Sequence, residues 1–378
     1  MVYLDNAATS FPKPDRVYQA HDKALRESGN PGRSGHTLSL AAGRLVEQAR
    51  FVLAELFNCP SPQSISFAYN ATAAINLALK GCLKSGDHVI TGTLSHNAVA
   101  RPLEFLKTRG VAVTKIPSSP VSGVNIDDVR RAIMPETKLI VLTHVSNVSG
   151  AENDVTEIGA LCREKGVFFL VDAAQSAGCK PIDMRAMNID MLAFPGHKSL
   201  FGPQGTGGLY VREGIALEPL VHGGTGSRSE DLAMPRETPG RYESGTQNAP
   251  GIAALSEGVR FVRDAGVENI EAHEAELANA LVEGLSSIKG VRLFGPPAGE
   301  KRSGVVSFTL DKIDPQQASA ALDSAFGIAV RSGLHCAPDA HLTLGTLETG
   351  GTIRASCGFF NTLDDIAALV AAIKEMAQ

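Results

Sequence analysis

Short apolar runs alternate with longer amphipathic stretches along most of this chain from residue 64 onward. Each run has the length of a buried strand, and the runs are 64–67, 88–91, 112–116, 139–144, 167–172 and 191–194. Apolar residues recur at helical spacing in most of the intervals between them. Because parallel strands need such crossover connections, the alternation predicts a mostly parallel sheet covered by helices. Ligands of such sheets bind beyond the carboxyl ends of the strands.

The pattern changes near both ends of the chain, and these changes predict its domain organisation. Residues 1–14 predict an extended arm, 41–58 a helix, and 214–250, rich in Gly, Pro, Ser and Thr, a long loop. We expect a large domain over 1–254 and a smaller α+β domain over 255–378. The elements predicted for this second part are helices at 251–264, 269–289, 315–324 and from 363, and strands at 305–310, 328–331 and 351–356.

Composition and charge narrow the class of protein. The chain has 378 residues, 43% of them hydrophobic, which is enough for two domains with a large buried core. Its net charge of -5 gives no basic footprint for nucleic acid or for an anionic membrane. It has no apolar run of roughly 18 residues that would span a membrane, and its start lacks the pattern of a signal peptide. We therefore expect a cytoplasmic protein whose six cysteines, which form no CxxC pair, are mostly free thiols.

A lysine and an acid follow two of the apolar runs, where a ligand would bind. Lys198 lies in the motif Gly196-His197-Lys198, just after the run 191–194, and Asp172 ends the run 167–172. Pyridoxal phosphate needs such a pair, because the lysine forms its Schiff base and the acid keeps its pyridine nitrogen protonated. A lone lysine at this position is usually a solvated surface residue. The pairing with Asp172 favours the cofactor.

Other polar residues that follow strands suggest the rest of such a site. Ala71 and Thr72 lie where a predicted helix begins, so backbone N–H groups and a hydroxyl could bind the phosphate, although such residues are also ordinary helix caps. His96 could stack on the ring and move protons near neutral pH, or be a solvated loop histidine. Asn147 and Gln175 could donate hydrogen bonds to the 3-oxygen of the ring.

A cysteine and an arginine suggest chemistry in the predicted small domain. Cys336 follows a short predicted strand, and a glycine and a proline on either side place it in a loop. Beside His335 its thiol could act as a nucleophile, or it could be an inert free thiol. A metal site of His335, Cys336 and His341 is a weaker alternative, because these residues have no established ligand spacing. Arg354 could bind a substrate carboxylate through its planar guanidinium, or form a structural ion pair.

These residues lie in motifs through which the chain resembles the pyridoxal-phosphate-dependent class V aminotransferases, and among them the cysteine desulfurases and selenocysteine lyases. The motifs run in order through nearly the whole chain, and together they are highly specific. They are Tyr3-Leu4-Asp5-Asn6-Ala7-Ala8-Thr9, His36-Thr37-Leu38-Ser39, 70–76, Ser95-His96-Asn97-Ala98, 143–150, Val171-Asp172-Ala173-Ala174-Gln175, Gly196-His197-Lys198, 242–248, 331–337 and Arg354-Ala355-Ser356.

The resemblance implies a fold and a role for each site residue. The fold is the fold-type I α/β architecture of aspartate aminotransferase, in a homodimer with the active site near the subunit interface. The residues implied to hold pyridoxal phosphate are Lys198, Asp172, Gln175, Asn147, His96, Thr72, His197 and, for the other subunit, Thr225 or its neighbours. Arg354 is implied to bind the substrate carboxylate with Arg331 and Asn147 nearby, and Cys336 to accept sulfur.

The chain departs from the family pattern at the phosphate and at the cysteine. Pro195 stands where many relatives carry serine, and Ala71 where they carry a threonine, so fewer hydroxyl groups are expected around the phosphate. The short loop of Cys336 resembles that of the desulfurases whose cysteine arm is compact. It therefore favours transfer through an accessory acceptor protein over fast transfer to large scaffold partners.

The leading hypothesis is removal of sulfur from L-cysteine, with L-alanine as product and Cys336 as the thiol that becomes a persulfide. The first alternative is a selenocysteine lyase, in which Cys336 is dispensable because selenium leaves easily. Others are a transaminase or β-eliminating lyase on the same scaffold, which needs no thiol, and a dimeric interaction module without catalysis. No metal, nucleic acid or membrane is expected as a partner.

Overall fold

The structure is a computed structural model that describes residues 1–32, 34–226 and 230–378. Its helices are α1 (Asp15–Glu27), α2 (Thr37–Leu56), α3 (Ala71–Cys82), α4 (Asn97–Lys107), α5 (Ile126–Ala132), α6 (Val155–Lys165), α7 (Ala249–Ala265), α8 (Val267–Ser286), α9 (Pro315–Phe326), α10 (Pro338–Leu344) and α11 (Leu363–Met376). Its strands are β1 (Val2–Tyr3), β2 (Ile65–Ala68), β3 (His88–Gly92), β4 (Ala112–Ile116), β5 (Ser118–Ser119), β6 (Gly123–Val124), β7 (Thr137–Thr143), β8 (Phe168–Asp172), β9 (Met191–Pro195), β10 (Gly207–Val211), β11 (Val291–Phe294), β12 (Val305–Leu310), β13 (Ile328–Ala329), β14 (Arg331–Gly333) and β15 (Thr352–Ser356).

The large sheet contains every strand predicted between residues 64 and 194. Its order is β2-β10-β9-β8-β7-β3-β4, and the strands from β9 to β4 are parallel. Both faces are buried, because successive residues of one strand enter different cores: Phe169 and Val171 lie in one, Leu170 in the other. Burial on both faces explains why these strands are continuous apolar runs in the sequence.

Strand β10 was not predicted, and it runs antiparallel to both of its neighbours, β2 and β9. Its sequence begins with two glycines, which resemble a continuation of the glycine-rich turn before it. Close packing requires them: a Cβ on Gly208 would lie 2.5 Å from the ring of Phe194, and one on Gly207 2.6 Å from the Phe194 carbonyl oxygen. Glycine therefore marks a close approach of two strands at this point rather than a turn.

The second sheet has the order β11-β12-β15-β14 and is antiparallel. Side chains of α8, α9 and α11 cover it and form one core with Val306, Phe308 and Ile353. The predicted strand 328–331 is divided into β13 and β14, because β13 pairs with the N-terminal strand β1 instead. Strand β11 and helix α1 were not predicted; α1 is mostly polar, and the only residues it buries are Val17 and Ala24.

The predicted arm is tied to the C-terminal part of the chain through β1 and through a bridge between Asp5 and Ser356. The predicted domain boundary near residue 255 falls within α7, and Leu255 and Val259 pack in a core of the large sheet. The division into 1–254 and 255–378 stays a prediction. Of the predicted loop 214–250, the described residues 214–226 and 230–248 contain no helix or strand, and the last two residues begin α7. None of the helices in the described residues is long and apolar enough to cross a membrane.

Candidate active site

A cavity of about 230 Å³ lies where β2, β3, β7, β8 and β9 end, as the parallel sheet predicted. The predicted site residues that line it are Ala71, Thr72, His96, Asn147, Asp172, Gln175, His197, Lys198, Arg331 and Arg354. Cys336 does not line this cavity, although it contacts Arg331, which does. Thr225 lies at a different cavity, beside Arg50 and Glu243.

Asp172 is the last residue of β8, and its carboxylate is buried. Its Oδ1 accepts a hydrogen bond of 3.0 Å from the backbone N–H of Ala174. Burial raises the pKa of Asp172, while the Ala174 bond and the nearby Lys198 act in the opposite direction. Such a carboxylate is well suited to a cationic partner, because the partner would relieve the cost of its burial.

Lys198 follows β9 in a turn that brings its side chain into the same cavity. The turn requires Gly196, since a Cβ there would lie 2.2 Å from Oγ1 of Thr206. Burial and, to a smaller extent, the positive charge of Arg354 lower the pKa of Lys198 to about 8, although Asp172 acts in the opposite direction. A fraction of this amine is therefore neutral near pH 7, which an amine needs in order to act as a nucleophile or a base.

His96 precedes α4 and caps it, because its Nδ1 accepts a hydrogen bond of 3.0 Å from the backbone N–H of Ala98. The proton of the neutral ring is therefore assigned to Nε2. Burial lowers the pKa of His96 to about 4, with Lys198 and Arg331 adding to the shift. The ring is thus a neutral hydrogen-bond donor at the cavity rather than a solvated loop histidine. Its stacking on a cofactor ring stays a prediction.

The N-terminus of α3 opens onto the cavity through Ala71 and Thr72. Asn70 caps this helix, and its side chain accepts a hydrogen bond of 2.9 Å from the backbone N–H of Ala73. Across the cavity, Nδ1 of His197 is buried without a hydrogen-bond partner, and burial lowers the pKa of His197 to about 4. A helix N-terminus beside an unpaired ring nitrogen is a suitable place for an anion such as a phosphate.

The two amides expected to contact the ring already donate hydrogen bonds within the protein. Nδ2 of Asn147 donates to the carbonyl oxygen of His335 over 2.7 Å, and Nε2 of Gln175 donates to that of Ala7 over 3.0 Å. Each NH₂ group has a second hydrogen. The predicted contacts with a cofactor ring therefore stay predictions, and both side chains also position neighbouring segments.

Arg331 and Arg354 lie directly opposite each other on β14 and β15. Arg354 is buried and donates to Asp5 over 2.8 Å and to the carbonyl oxygen of Asn147 over 3.1 Å. Its Nε is buried without a partner, and burial lowers its pKa. Arg354 therefore forms the ion pair that was one of its predicted roles, and its Nε–H stays unpaired as a donor for a carboxylate.

Cys336 lies in a strained turn just outside the cavity. His335 and Cys336 both have positive φ, 47° and 58°, which non-glycine residues rarely adopt. Hydrogen bonds hold both carbonyl groups: that of His335 accepts from Asn147, and that of Cys336 accepts from the backbone N–H of Asn97 over 2.7 Å. The thiol is exposed, and Nη2 of Arg331 lies 3.5 Å from its sulfur.

The imidazole of His335 does not assist this thiol. It is buried, its Nε2 forms a hydrogen bond of 3.0 Å with Oγ1 of Thr352, and burial lowers its pKa to about 2. The neighbouring ring of His341, 5.5 Å away, is likewise paired with Thr346. The described residues contain no group of three or more His, Cys, Asp or Glu side chains that could hold a metal ion. Arg331 is thus the cation beside the thiol.

The sequence did not assign the N-terminal arm to the site, although its motif was noted. Asp5 pairs with Arg354, Ala7 accepts from Gln175, and Ala7 and Ala8 line the cavity. These contacts join residues up to 349 positions apart in the chain. Beside that motif, the signal in the sequence is the polarity of a short extended segment that includes Asp5, Thr9 and Lys13.

This fold and this cavity are those of a known class of enzymes. The model of the aminotransferase class-V family matches residues 2–369, and the chain belongs to that family. The predicted fold-type I architecture is confirmed: the chain superposes on the apo structure of cysteine desulfurase from Thermococcus onnurineus with a TM-score of 0.92, at 33% identity, covering 100% of this chain and 94% of the other.

Among the members of the family, several proteins similar to this chain are named cysteine desulfurases. A probable cysteine desulfurase of Methanothermobacter thermautotrophicus is 36% identical over 100% of this chain and 94% of its own length. A probable cysteine desulfurase of Halalkalibacterium halodurans is 35% identical over 99% of this chain and 93% of its own. The structure of the cysteine desulfurase CsdA of Escherichia coli gives a TM-score of 0.88 at 29% identity, over 99% and 94% of the two chains.

Proposed function

We propose that this protein is a pyridoxal-phosphate-dependent cysteine desulfurase that converts L-cysteine to L-alanine and passes the sulfur from Cys336 to an acceptor. The observation that carries the proposal is an exposed thiol, 3.5 Å from Arg331, beside a cavity that holds Lys198 and Asp172. The names of the relatives support the same reaction.

The residues at the cavity fit pyridoxal phosphate. Asp172 offers a buried carboxylate for the pyridine nitrogen, Lys198 an amine, and the N-terminus of α3 with His197 donors for the phosphate. Pro195 and Ala71 supply no hydroxyl there, so backbone N–H groups and Thr72 carry that contact. When bound, the cofactor withdraws electrons from the substrate and so acidifies its α-hydrogen.

The protein's own groups bind the substrate and move its protons. The free Nε of Arg354, with Arg331 opposite, would bind the α-carboxylate and orient the amino acid. Nζ of Lys198, whose pKa is about 8, would take the α-proton and later return a proton to the product. His96, with its proton on Nε2, would donate a hydrogen bond at the cofactor ring without carrying charge.

Cys336 would then take the sulfur. Its thiolate, with Arg331 as counter-cation, attacks the sulfur of the substrate: an S–S bond forms, the C–S bond of the substrate breaks, and the electron pair of that bond stays with the carbon skeleton, which takes up protons to become alanine. The persulfide on Cys336 loses its outer sulfur to an acceptor thiol, which restores the Cys336 thiolate.

The assembly of the protein belongs to the same proposal. We infer a homodimer, and the supporting observation is a group of exposed apolar side chains, Tyr69, Leu220 and Val221, near the N-terminus of α3. The cytoplasmic location stays a prediction from the sequence. In the dimer, Thr225 or its neighbours would reach the phosphate in the other subunit. The short, exposed Cys336 loop favours an accessory protein with a reactive thiol as the sulfur acceptor.

Replacing Cys336 with alanine tests the reaction. With pyridoxal phosphate, L-cysteine and a small thiol acceptor present, we expect Cys336→Ala to form alanine at least about a hundredfold more slowly, because the nucleophile is gone. Cys82→Ala, which changes a free cysteine far from the cavity, is the matched control.

Alanine formation at the wild-type rate in Cys336→Ala would overturn the persulfide role. The same assay with L-selenocysteine separates the alternative activity: an unchanged rate on selenocysteine together with no reaction on cysteine, in both wild type and variant, would identify a selenocysteine lyase.

A further inference from the structure

The peptide group that joins His197 to Lys198 is surrounded by donors from the N-terminal arm. Its carbonyl oxygen accepts hydrogen bonds from Nζ of Lys13 over 2.7 Å, Oγ1 of Thr9 over 3.0 Å and the backbone N–H of Ser10 over 3.2 Å. The Ser10 hydroxyl donates to the next carbonyl, that of Lys198, over 2.8 Å. The arm therefore holds the backbone on both sides of the Lys198 side chain.

Lys13 is an unusual member of this group. Its Nζ lies 2.7 Å from Oγ of Ser10 as well as from the His197 carbonyl oxygen, and within the described residues it forms no ion pair. Burial lowers the pKa of Lys13 to about 8. Partly burying an ammonium without a carboxylate costs free energy, and only its hydrogen bonds offset that cost.

The same segment of the arm reaches other groups of the cavity. Asp5 forms the ion pair with Arg354, and the carbonyl of Ala7 receives the Gln175 side chain. The hydroxyl of Tyr3 donates to the carbonyl of Thr9 over 2.9 Å, which closes the arm on itself. The arm from Asp5 to Lys13 is therefore one connected structure that contacts the backbone of Lys198 and the side chains on the opposite wall.

We propose that Lys13 is a positioning residue for Lys198. Its ammonium fixes the plane of the His197–Lys198 peptide group, so that the flexible side chain of Lys198 starts from one defined backbone orientation. The inference rests on the proposed function, in which the Lys198 amine moves protons of the substrate. A small error in that starting orientation displaces the amine from the reacting carbon and slows proton transfer without weakening the binding of the carboxylate.

Lys13→Met tests this, because methionine keeps most of the apolar stem and removes the ammonium. In the cofactor-free protein, we expect the backbone amides of segment 196–202 to exchange with deuterium roughly tenfold faster or more, whereas β8 is unchanged. Gly196 and Phe201 report this opening, since their N–H groups bond to Thr206 and Lys198. Lys23→Met, at an exposed lysine of α1, is the matched control.

The loaded enzyme gives a second, independent readout. We expect kcat for alanine formation in Lys13→Met to fall roughly ten- to a hundredfold, the factor for one lost charge-assisted hydrogen bond, with KM for cysteine changed less than about twofold. Lys13→Arg, which restores a cationic donor, should recover most of kcat. A general loss of stability would lower the fraction of active enzyme, and so the apparent kcat, without changing KM; kcat is therefore expressed per cofactor-loaded protein, measured by the cofactor absorbance.

Unchanged exchange of segment 196–202 in Lys13→Met, or kcat within about twofold of wild type, would overturn the positioning role. If Lys13→Met does not fold, Lys13→Ala, which also removes the donor, decides by the same two measurements. Absence of alanine formation by the wild-type enzyme would instead be a failure of the proposed function. The exchange experiment would still decide whether Lys13 holds the Lys198 backbone.

Discussion

The reactive groups at the deep end of the cavity, Asp172, Lys198 and His96, and the thiol of Cys336 at its rim are prepared for reaction by different means. At the deep end, burial determines charge: it raises the pKa of Asp172, lowers that of Lys198 to about 8 and keeps His96 neutral. At the rim, the thiol of Cys336 is exposed, and what is fixed is the backbone that carries it. Two successive residues with positive φ are held there by hydrogen bonds to their carbonyl groups.

This difference indicates which changes each end tolerates. The free energy of a buried charge depends on the groups that pair with it. Loss of the Asp172 carboxylate should therefore lower the reaction rate strongly and leave the rim unchanged. The reactivity of an exposed thiol depends on where it is held. Substitutions that keep Cys336 but loosen its turn should therefore slow sulfur transfer without changing the groups at the deep end.

The largest effect is expected from Asp172→Asn. The amide has nearly the same shape but no charge to stabilise a protonated ring nitrogen, so alanine formation should fall roughly 100- to 1000-fold. The measurements are the rate on L-cysteine and the visible absorbance of the cofactor-loaded protein. Asp190→Asn is the control, because Asp190 is also buried but pairs with Arg212 away from the cavity. A rate within a few-fold of wild type would show that the reaction does not need the negative charge of Asp172.

An intermediate effect is expected from Thr352→Val, which removes the hydrogen-bond partner of the His335 ring beneath the thiol turn. Leaving that buried ring nitrogen unpaired should lower the free energy of unfolding by about 1–3 kcal/mol, measured by urea denaturation. Persulfide formation at Cys336 should slow roughly tenfold, while the cofactor absorbance stays unchanged.

Thr346→Val makes the equivalent change at the neighbouring ring of His341, which does not adjoin the cysteine. It should cost similar stability and leave persulfide formation near the wild-type rate. Equal slowing in both variants would mean that general loosening of this region, and not the orientation of the thiol turn, limits sulfur transfer.

The smallest effect on catalysis is expected at Glu274, which lies away from the cavity. There the rule that burial determines charge can be tested by itself. This buried carboxyl of α8 has its pKa raised to about 8 by desolvation. Between about pH 4.5, its ordinary value, and pH 8, the unfolded chain releases this proton and the folded protein keeps it, so Glu274 lowers stability as the pH rises. Glu274→Gln should therefore gain stability relative to wild type, by about 3 kcal/mol more at pH 8 than at pH 5. A difference independent of pH would contradict the raised pKa.

The sequence predicted the deep end better than the rim or the arm. Lys198, Asp172 and His96 each come at or after the end of an apolar run. Because the carboxyl ends of parallel strands lie at one edge of a sheet, these local patterns predict that the three residues lie close together. The pairing of Asp5 with Arg354 joins residues 349 positions apart, and no local pattern specifies it. The unpredicted burial of His335 has a similar origin: Thr352, its partner, lies on another strand.

The unpredicted strand β10 illustrates a different limit. Its two glycines favour a turn when only local conformational preference is considered. The structure needs them because the ring and the carbonyl group of Phe194 leave no room for a side chain. Such steric exclusion depends on the neighbouring strand, and a single sequence does not reveal it.

The fixed turn of Cys336 determines where the sulfur is handed to its acceptor. In the proposed reaction the sulfur does not travel on a moving arm, because the carbonyl groups of His335 and Cys336 remain bonded to Asn147 and Asn97. The sulfur then leaves at the surface: because the Cys336 thiol is exposed, the acceptor brings its own thiol to the rim and need not enter the cavity.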